Sequence, residues 1–204
     1  MALTNRKVVV NDELEAPLSL VSAGQVNFQV PSSAPLGTQR VGVRTADTGE
    51  LVAGGSILVA SVSPALFTAS QNGSGQGLVM NQDGTMNSAS NPAAGGSTIT
   101  LYGTGQGQVS PTVIDGSAAS GPPMSQTVAV PTADGKTCVT VQPSMCVAIG
   151  SGFGIVQESA LMPGYVGLWR IKVALPQGLA SGAAVPLRAV LNGSPSNIVT
   201  VAVR

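Results

Sequence analysis

The sequence has 204 residues, with nine basic and nine acidic side chains, so that only 9% of its residues are charged. A neutral, weakly charged chain lacks the basic surface that binding to nucleic acid or to an anionic membrane requires. No apolar run approaches the roughly 20 residues of a membrane-spanning helix, whereas frequent glycine and proline predict many turns.

The first half of the chain contains a strand pattern that recurs near the C-terminus. After a short predicted strand at 7–10, the segment 25–30 alternates apolar and polar residues with the period of a strand that buries one face. Pro31 ends this strand, because proline donates no ladder hydrogen bond, and Gly37 follows six residues later. Another alternating run and an apolar stretch at 57–62 complete the unit.

The segment 169–176, WRIKVALP, repeats this order. Its apolar side chains alternate up to Pro176, Gly182 lies six residues farther on, and an alternating run and an apolar stretch at 198–203 follow. A shared order of strand, proline, glycine, strand and strand indicates an internal repeat of one β unit. We therefore treat the strands at 25–30 and 170–175 as equivalent.

The repeat and the turn-rich composition predict an all-β protein with almost no helix. We expect two Ig-like antiparallel β-sandwich domains, at residues 1–62 and 63–204. Residues 45–55 read as turn material, and STITLY at 97–102 is a further strand. The first domain is short for a sandwich, so another protein or a second copy could complete it by strand addition.

The two cysteines, Cys138 and Cys146, flank a predicted turn at 142–144. Their even separation places both sulfur atoms on one face of a hairpin, which favours a disulfide. A bridge would fit life outside the cytoplasm. The alternative is two buried free thiols that pack as small apolar residues.

The most conspicuous polar cluster is NQDGTMN at 81–87. The oxygens of Asp83, Asn81 and Asn87 around a tight turn could bind a hard cation such as Ca²⁺. The alternative is a type I′ hairpin turn at Asp83-Gly84 whose polar side chains bond to their own backbone. Because one carboxylate is too few for a strong site, Asp115 or Glu158 would have to contribute.

Five motifs occur in an order that matches a known family. They are QVNFQVP at 25–31, PALF at 64–67, NQDGTMNSASNPA at 81–93, GSTITLYGTGQG at 96–107 and PGYVGLWRIKVALP at 163–176. From about residue 8 onward the chain resembles the Solibacter uncharacterised C-terminal domain family, found at the ends of large secreted bacterial proteins. The resemblance implies a pair of extracellular Ig-like sandwiches and no assigned activity. The sequence departs from the family pattern at 169–172 and in its paired cysteines.

Two functions from different classes follow. The first is an extracellular Ig-like structural or binding module without its own catalysis and without a cofactor. The second is a Ca²⁺-dependent hydrolase of small esters or lactones, because a chain without histidine would need a metal to activate water. In that enzyme Asp83, Asn81 and Asn87 would bind the metal, and Asp115 or Glu158 would act as the base. The start of the sequence has no secretory signal, so we expect an extracellular or cell-surface parent that has lost its signal, or an excised piece.

Overall fold

A computed structural model describes residues 5–131, 138 and 143–204 of the protein. Contacts within the chain divide it into two compact units, Met1–Ser61 with Val113–Ala118, and Val62–Thr112 with Ala119–Arg204. The segment Val113–Ala118 thus belongs to the first unit, although the sequence suggested the second. All strands but one pair are antiparallel, and the described residues contain no helix. The predicted all-β, sandwich-like fold is confirmed.

The described part of the first unit contains six strands. They are β1 (Arg6–Val10), β2 (Leu14–Ala16), β3 (Leu18–Val21), β4 (Val26–Phe28), β5 (Gly37–Thr45) and β6 (Leu51–Val59). Four of them form an antiparallel sheet in the order β2-β1-β5-β6, and β3 pairs with β4 in a separate two-stranded sheet. The sequence pattern at 25–30 therefore yields a strand of only three residues.

The second unit contains the remaining strands. They are β7 (Ala65–Leu66), β8 (Val79–Met80), β9 (Thr98–Thr104), β10 (Val109–Ser110), β11 (Gln126–Thr127), β12 (Val130–Pro131), β13 (Ser144–Ile149), β14 (Gly152–Leu161), β15 (Trp169–Ala174), β16 (Gly182–Leu191), β17 (Ser194–Pro195) and β18 (Val199–Val203). Their main path runs β17-β16-β13-β14-β15-β9-β7, with β18 beside β16 and β8 beside β9.

Strand β14 joins the two layers of this unit. Its first part pairs with β13 through Gly152–Gly154, and its second part pairs with β15 from Ile155 to Leu161. A β-bulge between Val156 and Glu158 lies within the ladder with β15, just after this change of partner. Because a bulge bends a strand and increases its twist, one strand can contribute to both layers.

The core of the second unit is large and follows the alternation that the sequence predicted. Trp169, Ile171 and Val173 on β15 are fully buried, and the residues between them are half-buried. The core cluster of the described residues here contains 22 buried side chains, from Val62 to Val203. The strand pattern WRIKVALP thus supplies the centre of a complete hydrophobic core.

The first unit has a much smaller core. Among the described residues, its cluster contains three buried side chains, those of Val8, Val10 and Ala16, with half-buried apolar side chains packed around them. Strand β6 is exposed along most of its length, and the side chains of Leu51 and Leu58 are 56% and 74% exposed. The predicted turn region at 45–55 was too long, because β6 already begins at Leu51 and includes Gly54-Gly55.

Candidate functional site

An open apolar groove lies within the first unit. It has a volume of about 830 Å³, and residues of β1, β3, β4, β5 and β6 line it. The apolar part of the lining consists mainly of Val8, Val21, Val26, Phe28, Val43 and Val52. Asn5, Arg6 and the loop 22–25 supply its polar part. A groove of this size and chemistry can accept an apolar segment of another molecule.

The groove stays open because the two sheets of this unit bury little of each other. Val26 and Phe28 on β4 are only half-buried, and Val52 on β6 is 51% exposed. In a complete sandwich such side chains would be covered by those of an opposing sheet. That the first unit is an incomplete domain stays a prediction.

Strand β6 forms a free edge of the four-stranded sheet. It is the last strand in the order, and no strand among the described residues pairs with its outer side. The opposite edge, β2, has only three residues and is followed by Pro17. Short strands and prolines are common means of protecting a sheet edge, so β6 is the accessible one.

The hydrogen bonds of β5 show which groups of β6 face outward. Asn11 N donates to Arg40 O at 2.8 Å on the β1 side, whereas Thr45 N donates to Glu50 O at 2.9 Å on the β6 side. In an antiparallel strand the N–H and C=O of one residue point to the same side, so the odd-numbered residues of β5 face β6. They pair with odd-numbered residues of β6, as Val41 does with Gly55. The N–H and C=O groups of Gly54, Ser56 and Leu58 therefore point to the free edge.

The predicted metal ligand Asp83 lies in an exposed turn of the second unit. Its Oδ1 accepts hydrogen bonds from the backbone N–H of Thr85 at 3.0 Å and from the hydroxyl of Thr85 at 2.6 Å. These two hydrogen bonds hold the pKa of the Asp83 carboxyl below its usual range, and the bond from the hydroxyl has the larger effect. Gly84 N donates to Asn81 O at 3.0 Å. Gly84 has a positive φ but Asp83 does not, so the turn is not of the predicted type I′.

The other two predicted ligands, Asn81 and Asn87, form a buried amide network. Asn87 donates from Nδ2 to Asn81 Oδ1 and to Ala202 O, both at 2.9 Å, and its Oδ1 accepts from Ala202 N at 2.8 Å. Asn81 Nδ2 donates to Asn91 O at 3.0 Å. Both side chains are less than 10% exposed. The amide of Asn87 therefore acts as a clamp on the last strand, and its oxygen already has a partner.

A second asparagine clamps the backbone in the same way, and no local sequence pattern indicates it. Leu66 N donates to Asn197 Oδ1 at 2.7 Å, and Asn197 Nδ2 donates to Leu66 O at 3.0 Å. Such pairs reproduce the two hydrogen bonds of a strand neighbour. The asparagines of the second unit thus complete backbone hydrogen bonding between distant segments.

Neither candidate base has an unengaged carboxylate. Asp115 belongs to the first unit, where its Oδ2 accepts from Ser32 N at 2.8 Å and from the Ser32 hydroxyl at 3.0 Å. Glu158 belongs to the second unit, and its carboxylate contacts Arg170 Nε at 2.7 Å and Lys172 Nζ at 3.3 Å. Asp115 thus ties the segment 113–118 to its unit, and Glu158 joins an ion network across β14 and β15.

The described residues contain no group of three or more His, Cys, Asp or Glu side chains that could hold a metal ion. The proposed set of Asp83, Asn81 and Asn87 would have to exchange its internal hydrogen bonds for metal contacts. The metal set and the two bases remain predictions. No helix of the described segments is long and apolar enough to cross a membrane.

Cys138 and Cys146 form a disulfide, the pair that the sequence suggested. Their Cα atoms are 5.5 Å apart, which is an ordinary separation for such a bridge. Cys146 lies on β13 and is buried. The rest of the predicted hairpin, at 139–142, lies outside the described residues.

Comparison with family models, with curated proteins and with solved structures finds no match for this chain.

Proposed function

We propose that this chain is a non-catalytic module of an extracellular protein that binds another polypeptide through the groove and free edge of its first unit. The observation that carries this proposal is the open apolar groove of about 830 Å³ beside a nine-residue strand, β6, whose outer edge has no partner among the described residues. Extended peptides bind at such edges because main-chain hydrogen bonds give affinity and adjacent pockets give specificity.

Two further features support an extracellular module. The disulfide between Cys138 and Cys146 fits an oxidising compartment, where such bridges persist. The resemblance to the Solibacter uncharacterised C-terminal domain family also implies a secreted protein with Ig-like sandwiches and no assigned activity. The second unit, with its larger core, would serve as the stable support of the binding unit.

No specific observation favours the hydrolase. A catalytic site needs a ligand set or a base that is available to substrate. Asp83 bonds to Thr85, Asp115 to Ser32, and Glu158 to two cations. The Ca²⁺-dependent hydrolase therefore stays the alternative, to be tested beside the module.

The module is tested with a phage-displayed library of random nonapeptides, selected on the whole chain. We expect enriched peptides to alternate apolar residues, because only alternate side chains of a bound strand would face the groove. Synthetic copies of these peptides should bind at least about tenfold more weakly to Ala53→Arg, because Ala53 lines the groove and the arginine side chain would occupy part of it. Ala46→Arg is the matched control, since Ala46 is also exposed but lies in the turn before β6.

Enrichment of the same peptides on Ala53→Arg as on the parent would contradict the proposal. Ester and lactone turnover is measured in parallel, with Ca²⁺ and with EDTA, for the parent and for Asp83→Ala. Turnover that depends on the metal and is lost in Asp83→Ala would replace the module by the hydrolase.

A further inference from the structure

The free edge of β6 lacks the charges and prolines that usually protect a long edge strand. No charged residue occurs between Glu50 and Asp83, and no proline occurs between Pro35 and Pro64. The bulge of the β5–β6 ladder lies at its end, between Val43 and Arg44, so that the ladder is regular from Ala53 to Val59. A long, regular, apolar edge is a template for pairing with another strand.

The sequence of β6 has a similar order of apolar and small residues in both directions, so that it can pair with an antiparallel copy of itself. It is LVAGGSILV, with apolar residues at both ends and Gly54, Gly55 and Ser56 at its centre. In an antiparallel pair centred on Gly55, Ala53 lies opposite Ile57 and Gly54 lies opposite Ser56. Large apolar residues then meet apolar residues, and small residues meet small ones.

We propose that β6 pairs antiparallel with β6 of a second copy of this chain, about a two-fold axis at Gly55. This inference rests on the proposed function, because it names the polypeptide that its edge binds. The pair is isologous, so each copy offers the same patch to the other and the assembly closes as a dimer. The four-stranded sheets of two copies would become one eight-stranded sheet.

The hydrogen bonding of the edge fits this axis. Gly54, Ser56 and Leu58 direct their N–H and C=O groups outward, so Gly54 of one copy and Ser56 of the other form a hydrogen-bonded pair. Gly55 then faces Gly55 as a non-hydrogen-bonded pair, in which the Cα atoms approach to about 4.5 Å. The exposed side chain of Leu58 comes next to Val52 of the second copy, and both lose solvent contact.

A shift of the axis by one residue gives a poorer match. With the centre at Ser56, Leu58 would lie opposite Gly54 and Ile57 opposite Gly55. The large side chains would then have no apolar partner across the strands, and cross-strand pairs are the main source of specificity in a ladder. The register centred on Gly55 is therefore the favoured one.

Sedimentation velocity over a concentration series measures the association. One strand pair buries less surface than a standard interface of about 1,600 Å², so we expect a reversible dimer with Kd between about 1 µM and about 1 mM. Leu58→Lys should raise this Kd at least about tenfold, because it places a charge beside apolar side chains. Leu36→Lys is the matched control, since Leu36 is 66% exposed but lies outside the strands, and should leave the Kd within about twofold.

Cross-linking tests the register. The two native cysteines are bridged, so a new thiol has no internal partner. We expect Gly55→Cys to form a disulfide dimer under mild oxidation, because the close Gly55 pair suits a bridge. Leu36→Cys should stay monomeric, and Gly54→Cys should cross-link much more slowly, because the two Gly54 residues are not opposite each other.

A protein that is monomeric at all concentrations up to about 1 mM, or equal cross-linking at all three positions, would overturn the inference. These outcomes are distinct from failure of the proposed function. A monomer whose groove still selects peptides, with loss in Ala53→Arg, would show that the edge accepts another polypeptide and not a second copy. Loss of both activities would remove the binding module as well.

Discussion

Strands β4 and β15 share a sequence pattern but differ in what surrounds them. β15 is six residues long and lies between β14 and β9 in the sheet. Its apolar side chains are fully buried. β4 has three residues, pairs only with β3, and keeps Val26 and Phe28 half-buried. The pattern determines which face is apolar, whereas the number of neighbouring strands determines how deeply that face is buried.

The largest expected difference between the two units is in the loss of stability when a buried or a half-buried isoleucine is replaced by alanine. Ile171→Ala should lower the free energy of unfolding of the second unit by about 2–5 kcal/mol, because Ile171 is fully buried and a cavity would remain. The matched variant Ile57→Ala, at a half-buried position of the edge strand β6, should cost about 1 kcal/mol or less. Urea unfolding measures both, with Trp169 fluorescence for the second unit and circular dichroism for the whole chain. Equal losses would contradict the comparison.

Substitutions of glycine by alanine are expected to have effects of intermediate size on stability. A Cβ at Gly103 on β9 would collide with the carbonyl oxygen of Ala65 and lie 3.2 Å from Cε3 of Trp169. We expect Gly103→Ala to destabilise the protein by about 1–3 kcal/mol. A Cβ at Gly55 meets nothing within 4 Å, so Gly55→Ala should leave the stability unchanged or raise it by up to about 1 kcal/mol. Thermal unfolding at low protein concentration distinguishes them, and a large loss in Gly55→Ala would show that β6 is more tightly packed than described.

The smallest expected effect is a dependence of the folding stability on pH. The pKa of Asp83 is lowered by its bonds to Thr85, and that of Asp47 in the first unit by a hydrogen bond with the Asn5 side chain. A lowered pKa in the folded state stabilises the protein above the unfolded pKa of about 3.9, and this contribution is lost as pH falls through the folded value.

Asp83→Asn should therefore lose stability relative to the parent at neutral pH and approach it as the pH falls through the folded-state pKa of Asp83. Unfolding followed by Trp169 fluorescence should detect this convergence for Asp83→Asn but not for Asp47→Asn, which lies in the first unit. A parallel pH profile for Asp83→Asn and the parent would rule out the contribution of Asp83.

The strands of the second unit could be predicted because their signals are local. The segments STITLY and WRIKVALP alternate strictly, and both became central strands, β9 and β15. Gly54-Gly55 misled the prediction, because glycine disfavours strands in general and favours turns. The long ladder with β5 holds these glycines in the extended conformation, which glycine does not favour on its own.

The candidate sites depend on contacts that no local pattern contains. The spacing of Asn81, Asp83 and Asn87 suggested oxygen ligands, yet Asn87 bonds to Ala202, 115 residues farther along the chain. The groove arises from five strands that surround too few side chains to fill it. The sequence did contain one usable signal for the edge, the absence of charge and proline throughout β6.

The strand that joins both layers of the second unit has a consequence for its dynamics. β14 shares hydrogen bonds with β13 through one part and with β15 through the other. Opening either layer would disturb the ladder of the same strand, so we expect the opening of the two layers to be coupled. The amides of β14 should therefore exchange only when the whole unit opens, which makes this unit a single foldon.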